Sequence, residues 1–188
     1  PYADAAAALA ALPADAVLLL DPRRTTLGLR EAAPAAVRVI EAINPSTLAK
    51  SRKSDAEAAF VRAAMIDDGV AMCRFYAWFE KALAEAAAGR RPPLTELTID
   101  ERLSAERAAR PGFMGLSFPV IAGFAGNGAM PHYRATPASH ATIEGDGLLL
   151  IDSGGQYLGG TTDITRVWPI GQITAAHKRD YTRVLKGT

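Results

Sequence analysis

An apolar run that ends in aspartate, a glycine-rich turn and a second aspartate eleven positions on restrict this chain more than any other feature. The segment is Leu148-Leu-Leu-Ile-Asp152-Ser-Gly-Gly-Gln-Tyr157-Leu-Gly-Gly-Thr-Thr162-Asp163-Ile-Thr-Arg166. Glycines between two short apolar runs mark a β-hairpin. A turn centred between Tyr157 and Leu158 sets Asp152 opposite Asp163, and directly opposed residues carry side chains on one face about 5 Å apart. Like charges so placed repel unless a shared proton or a cation lies between them, and hard divalent ions are the usual partners of clustered carboxylates. Turn capping is the competing explanation, because Asp beside Gly is common in hairpins.

One histidine adds to the candidate site. His132 follows the glycine-rich stretch Gly123-Phe-Ala-Gly-Asn-Gly128, where the backbone can approach a bound group closely, and it precedes the aspartate pair by one strand. His140, in the polar loop Ala138-Ser-His-Ala-Thr142, and His177, on the outer face of a short helix pattern, read as bystanders. No Gly-Lys-Ser/Thr follows the glycines, so they are not a phosphate-binding loop.

The rest of the chain supplies a frame. Ser54-Asp-Ala-Glu57 is a capping box that opens a long helix, with Val61, Met65, Met72, Tyr76 and Phe79 at core spacing and Asp67, Arg74 and Lys81 on another side. Gly89-Arg-Arg-Pro-Pro93 ends it, and Thr98-Ile-Asp-Glu101 opens a second helix that stops near Arg110-Pro111. Strands are expected over residues 116–121, 147–151 and about 161–170, and Thr174 caps a last helix to about Lys186. Helices packed on an antiparallel sheet make this part α+β. Before it, Ala16 to Leu20 and Val37 to Ile40 read as two strands of an α/β unit, with a turn over Asp21 to Arg24.

Composition removes several function classes. Twenty-one Lys and Arg against twenty Asp and Glu leave a net charge of +1, with no field to steer nucleic acid or an anionic membrane. The cluster Lys50, Arg52 and Lys53 reads as a solvated face. Cys73 is the only cysteine, so there is no intrachain disulfide and no Cys-based zinc site; its helical setting suits a buried small hydrophobe. Apolar runs such as Ala16 to Leu20 are too short to span a bilayer, and the first residues lack a basic signal-peptide region, so the cytoplasm is the default. Pro1 is not an initiator methionine and Lys186-Gly187-Thr188 close a helix pattern with nothing after it, so both ends read as cut.

From about Asn44 to Thr188 the residues resemble the aminopeptidase P branch of the pita-bread metallopeptidases, a group that includes prolidase, methionine aminopeptidase and creatinase. The marks are Asn44-Pro45 through Lys50 and Lys53, Asp68-Gly-Val-Ala71, Ser117-Phe-Pro119, Asn127-Gly-Ala129 with His132-Tyr133, Asp152-Ser-Gly with Gly160-Thr-Thr-Asp163-Ile-Thr-Arg166, and Tyr181 through Gly187. The resemblance implies an α+β chain: residues 53–188 as the first half of a pita-bread catalytic domain, and residues 1–52 as the tail of a creatinase-like α/β domain. It implies two divalent ions, manganese first and zinc or cobalt as alternatives, with Asp152 and Asp163 as metal ligands and His132 as the group that hydrogen-bonds or protonates the reacting amide. One histidine and two glutamates of the family's ligand set have no counterpart in residues 1–188, so the isolated chain is expected to be inactive. The implied activity is removal of an N-terminal residue ahead of proline, on peptides with proline second. A homodimer of the full-length protein is an assembly the resemblance allows. Prolidase activity and a non-enzymatic binding module are the alternatives.

Overall fold

Short apolar runs separated by helix-forming stretches fold as a parallel strand pair at the start of the chain. The computed structural model describes Pro1 to Thr188, in two compact units, Pro1–Ser54 and Asp55–Thr188. In the first unit β1 (Val17–Leu20) pairs in parallel with β2 (Arg38–Glu41), and α1 (Ala5–Ala10) precedes them while α2 (Leu27–Ala32) forms the crossover that parallel pairing requires. The Asp21 turn forms as expected: its carboxylate accepts from the Arg23 amide at 3.0 Å and its carbonyl from those of Arg24 and Thr25. Pro45 opens α3 (Pro45–Ser51), whose first turn is capped by the Asn44 side chain.

In the second unit α4 (Asp55–Ala87) begins directly after Ser54. Its buried stripe is Ala64, Asp68, Ala71, Met72, Phe75, Phe79 and Ala82. Of the five residues expected to form it, Met72 and Phe79 are buried and Tyr76 packs beside the core, but Val61 is only half-buried and Met65 is 40% exposed. Counting large apolar residues misplaced the stripe, because alanines and one aspartate occupy the contact face. Cys73 is exposed rather than buried; it follows Met72 by one position, about 100° further round the helix.

β3 (Leu94–Thr95) leads into α5 (Glu96–Ala108), which starts before Thr98 rather than after it. Thr95 is the cap: its hydroxyl accepts from the Thr98 amide at 3.2 Å, and the Thr98 hydroxyl accepts from the Thr95 amide at 3.4 Å. Thr98 therefore fills the reciprocal position of the box expected one turn later. The single strand expected over 116–121 is two, β4 (Phe113–Leu116) and β5 (Ile121–Phe124). Pro119 lies in the break, where a residue without an N–H cannot continue a ladder.

β6 (Thr142–Ile143) pairs with β3, and β7 (Gly147–Ser153) is central in a sheet of order β10-β7-β5, where β10 is Ile164–Ile170. β8 (Gly155–Tyr157) and β9 (Gly160–Thr161) form a hairpin that joins β4. The strand expected over 161–170 is thus interrupted at Thr162-Asp163. Alternate residues of β7 face inward, and Leu149 and Ile151 pack with Phe75, Phe79, Ile99 and Leu103, all fully buried. Thr174 caps α6 (Ala175–Gly187) with its hydroxyl on the His177 amide at 3.1 Å.

Two contacts fix the hairpin segment between the two aspartates. Arg107 on α5 grips Asp68 on α4 with Nε at 2.7 Å and Nη2 at 3.0 Å, both side chains fully buried, and the Tyr157 hydroxyl of β8 donates to the same carboxylate at 2.7 Å. Burial alone raises the Asp68 pKa, but the hydrogen bonds from Arg107 and Tyr157 outweigh it and hold the carboxyl below its ordinary value. The second contact is at Gly154, where an added Cβ would collide with the Thr162 carbonyl and the Ser117 hydroxyl. Ser117 already donates to that carbonyl at 3.0 Å, so neither neighbour is free to retreat. Gly154→Ala is expected to lower stability by at least about 1–3 kcal/mol, read as a lower urea midpoint.

Candidate functional site

The two aspartates are brought to one cavity, though not by the register expected. Across β7 and β10, Thr165 stands opposite Asp152 and Ile164 opposite Ser153. In the inner hairpin Tyr157 stands opposite Gly160, so Leu158-Gly159 form the loop and the turn is centred one residue later than expected. Moving the centre by one residue moves every partner by two. Asp163 is therefore diagonal to Asp152, just beyond the end of β10, and not directly opposed. A two-residue shift preserves the face of the sheet, and diagonal neighbours on a face are roughly 7–8 Å apart.

Both aspartates line a cavity of about 400 Å³ with His132, Tyr133, Arg134 and the apolar Phe118, Pro119 and Ile121. Asp152 is half-buried, lies between Ile121 and Thr165 in the ladder, and accepts from the Thr165 hydroxyl at 2.8 Å. Asp163 is exposed. Neither carboxylate accepts a turn amide, unlike Asp21, whose carboxylate does. Turn capping is therefore not their role.

His132 reaches the cavity from a loop after the 3-10 turn Ala125–Ala129. The turn lies tight on β5, since a Cβ on Gly123 would meet the Gly128 backbone at 2.8 Å. His132 has φ of 58°, a left-handed conformation few non-glycine residues adopt. His140 and His177 lie outside the cavity: the first hydrogen-bonds the Thr136 carbonyl at 2.9 Å and the second completes the α6 cap.

One residue of this neighbourhood escaped the sequence reading. Glu96, in the first turn of α5, is fully buried and accepts from Asn127, Tyr133 and the backbone amides of Phe124 and Ala141. Burial, together with the hydrogen bond to Glu96 and its charge, pushes the Tyr133 hydroxyl up to about 12. The only signal was an acid next to Thr95, and an acid in a first helical turn is ordinary for dipole reasons.

As a metal site the arrangement is partial. Two carboxylates in one cavity offer the hard oxygen donors that divalent ions accept. No group of three or more His, Cys, Asp and Glu side chains is placed to hold an ion. The donor chemistry fits a divalent cation, with fewer ligands than a complete site requires.

Comparison with known proteins gives this geometry a family. A Probable Xaa-Pro aminopeptidase P of Aspergillus clavatus is 40% identical over 149 residues, which are 79% of this chain and 22% of that protein. The chain thus spans about a fifth of that curated relative's length. Among solved structures, the X-prolyl aminopeptidase of Caenorhabditis elegans, described as a cytosolic enzyme with a di-nuclear active site, superposes with a TM-score of 0.75 at 23% identity, covering 94% of this chain and 29% of that one. The prolidase of Thermococcus sibiricus gives a TM-score of 0.64 at 24% identity over 99% of this chain and 48% of that one. These likenesses establish the α+β pita-bread fold. Residues 61–188, which include both aspartates and His132, match the model of metallopeptidase family M24, and the chain belongs to that family.

Proposed function

We propose that the whole protein is an Xaa-Pro aminopeptidase and that Asp152, Asp163 and His132 are part of its catalytic centre. The observation that carries this reading is that all three side chains, one from a strand and two from loop segments, line one cavity. Asp152 and Asp163 would hold divalent ions, manganese first and zinc or cobalt as alternatives, and such ions supply an acidified water and polarise a carbonyl when bound. The Thr165 hydroxyl orients Asp152, leaving the other carboxylate oxygen free. His132 donates a hydrogen bond to the reacting amide or passes it a proton. Phe118, Pro119 and Ile121 form an apolar wall that keeps water from one side of the substrate.

Further ligands come, on this reading, from residues outside 1–188, and residues 1–188 alone are inactive. Residues 1–52 are read as the end of a creatinase-like domain. A cytoplasmic setting is part of the same proposal, supported by the cytosolic description of the nematode relative. No helix is long and apolar enough to cross a membrane. Prolidase activity is the second reading, supported by the likeness to the Thermococcus sibiricus enzyme.

Peptides decide between these. With manganese, the whole protein is expected to release the first residue of Xaa-Pro-Xaa peptides and to leave Xaa-Ala-Xaa peptides largely uncut. Cleavage of Xaa-Pro dipeptides alone selects prolidase. Absence of release with manganese, zinc or cobalt, or equal cleavage of the alanine peptides, overturns the assignment.

A further inference from the structure

We propose that Glu96 is a positioning residue for His132: its buried carboxylate clamps both ends of the segment from Asn127 to Tyr133 and so sets where the imidazole enters the aspartate cavity. The inference rests on the reading of His132 as a catalytic group.

Glu96 Oε1 accepts from the Phe124 amide at 2.7 Å and from Asn127 Nδ2 at 3.0 Å. Oε2 accepts from the Ala141 amide at 2.7 Å, the Tyr133 hydroxyl at 2.8 Å and Asn127 Nδ2 at 3.2 Å. Asn127 Nδ2 also donates to the Tyr133 oxygen at 3.0 Å, closing the triangle. These donors belong to the end of β5, the 3-10 turn, the residue after His132 and the chain just before β6. Every one of them is neutral; no lysine or arginine pairs with Glu96, although the side chain is fully buried.

A buried carboxylate without a counter-ion is costly, and an apolar residue would fill the same space at lower cost. What the carboxylate adds is direction, because its two oxygens accept along fixed lines and a satisfied polar network specifies one arrangement. The segment it holds needs such specification. His132 has a left-handed backbone, a strained conformation that persists only where surrounding contacts over-determine it. His132 itself is exposed and cannot supply those contacts. Its neighbours Asn127 and Tyr133 do, through Glu96.

The test is a double-mutant cycle in the whole, metal-loaded protein on an Xaa-Pro-Xaa peptide. Glu96→Gln puts an NH2 group, which cannot accept, where one oxygen now meets an amide and a hydroxyl. It is expected to lower kcat about 10- to 100-fold with KM changed less than about threefold, the cost of misplacing a catalytic group by about 1 Å. Glu96→Gln combined with His132→Ala is expected to be no slower than His132→Ala alone, since a residue acting only through the imidazole has nothing left to position. Tyr133→Phe removes one bond and leaves the carboxylate satisfied by the others; its smaller loss is expected to vanish in the same way, and it carries the test if Glu96→Gln does not fold. In the whole protein without metal, Glu96→Gln is expected to speed hydrogen exchange from Ala125 to Arg134 while α4 stays protected. Losses that add to that of His132→Ala overturn the positioning role alone. Full turnover by His132→Ala overturns it together with the role of His132.

Discussion

Asp68→Ala is expected to lower the unfolding free energy by about 3–5 kcal/mol, the cost of leaving one member of a buried ion pair without its partner. Arg107 is fully buried and already has one nitrogen, Nη1, without a hydrogen-bond partner. Removing Asp68 would strip the guanidinium of both carboxylate contacts and leave it only the Met72 sulfur at 3.3 Å. Tyr157 would lose its acceptor as well, which loosens the β8–β9 hairpin between the two aspartates. Replacing Asp68 and Arg107 together by apolar residues of similar volume should recover most of the loss, because desolvation offsets much of what the pair contributes. Urea unfolding of the unsubstituted protein and the two variants measures both effects, and a single-mutant loss below about 1 kcal/mol contradicts the role of the buried pair.

The same pair predicts an acid dependence. The folded pKa of Asp68 is lowered from the ordinary 3.8. Its contribution is therefore fully present above the unfolded value and is lost as pH falls through the lower, folded value. Asp68→Asn, which cannot titrate, should show a flatter fall of stability with pH below about 4. An equal slope in both proteins would assign the acid sensitivity to other carboxylates.

Asp163→Asn is expected to do the opposite: large loss of function with stability almost unchanged. Asp163 is exposed and makes no hydrogen bond or ion pair within the chain. Its substitution should move the urea midpoint by no more than about 0.5 kcal/mol equivalent, the usual range for such surface sites. Loss of a group that merely orients a metal ligand costs about 10- to 100-fold in affinity or activity, so loss of a proposed ligand should cost more than about 100-fold. Manganese binding and Xaa-Pro turnover by the whole protein are the measurements. Unchanged metal affinity in both Asp163→Asn and Asp152→Asn removes the aspartates from the metal site.

These two substitutions also show why the sequence was legible in one place and opaque in another. Asp152 and Asp163 close and open apolar runs on either side of a glycine-rich turn, eleven positions apart, and that spacing is visible in a linear pattern. Asp68 and Glu96 sit in helices, where acids are commonplace; only their burial makes them unusual, and burial is a property of what packs against them. The stripe on α4 is hidden in the sequence for the same reason, since Ala64, Ala71 and Ala82 look neutral until a neighbouring element approaches closely.

The sequence by itself determined that two aspartates flank a glycine-rich hairpin, that a histidine loop precedes it, and that helices pack on an antiparallel sheet. Periodicity, capping residues and turn chemistry are local, and they act within a few residues of where they are read. Only the tertiary structure decided that Leu158-Gly159 is the turn, so that Asp163 meets Asp152 on the diagonal, and that Glu96 holds the His132 loop. Register is set by β4 pairing with β8 and by Tyr157 anchoring to Asp68, contacts between residues far apart in the chain. No local pattern encodes them, because their energy arises only when the segments are already packed together.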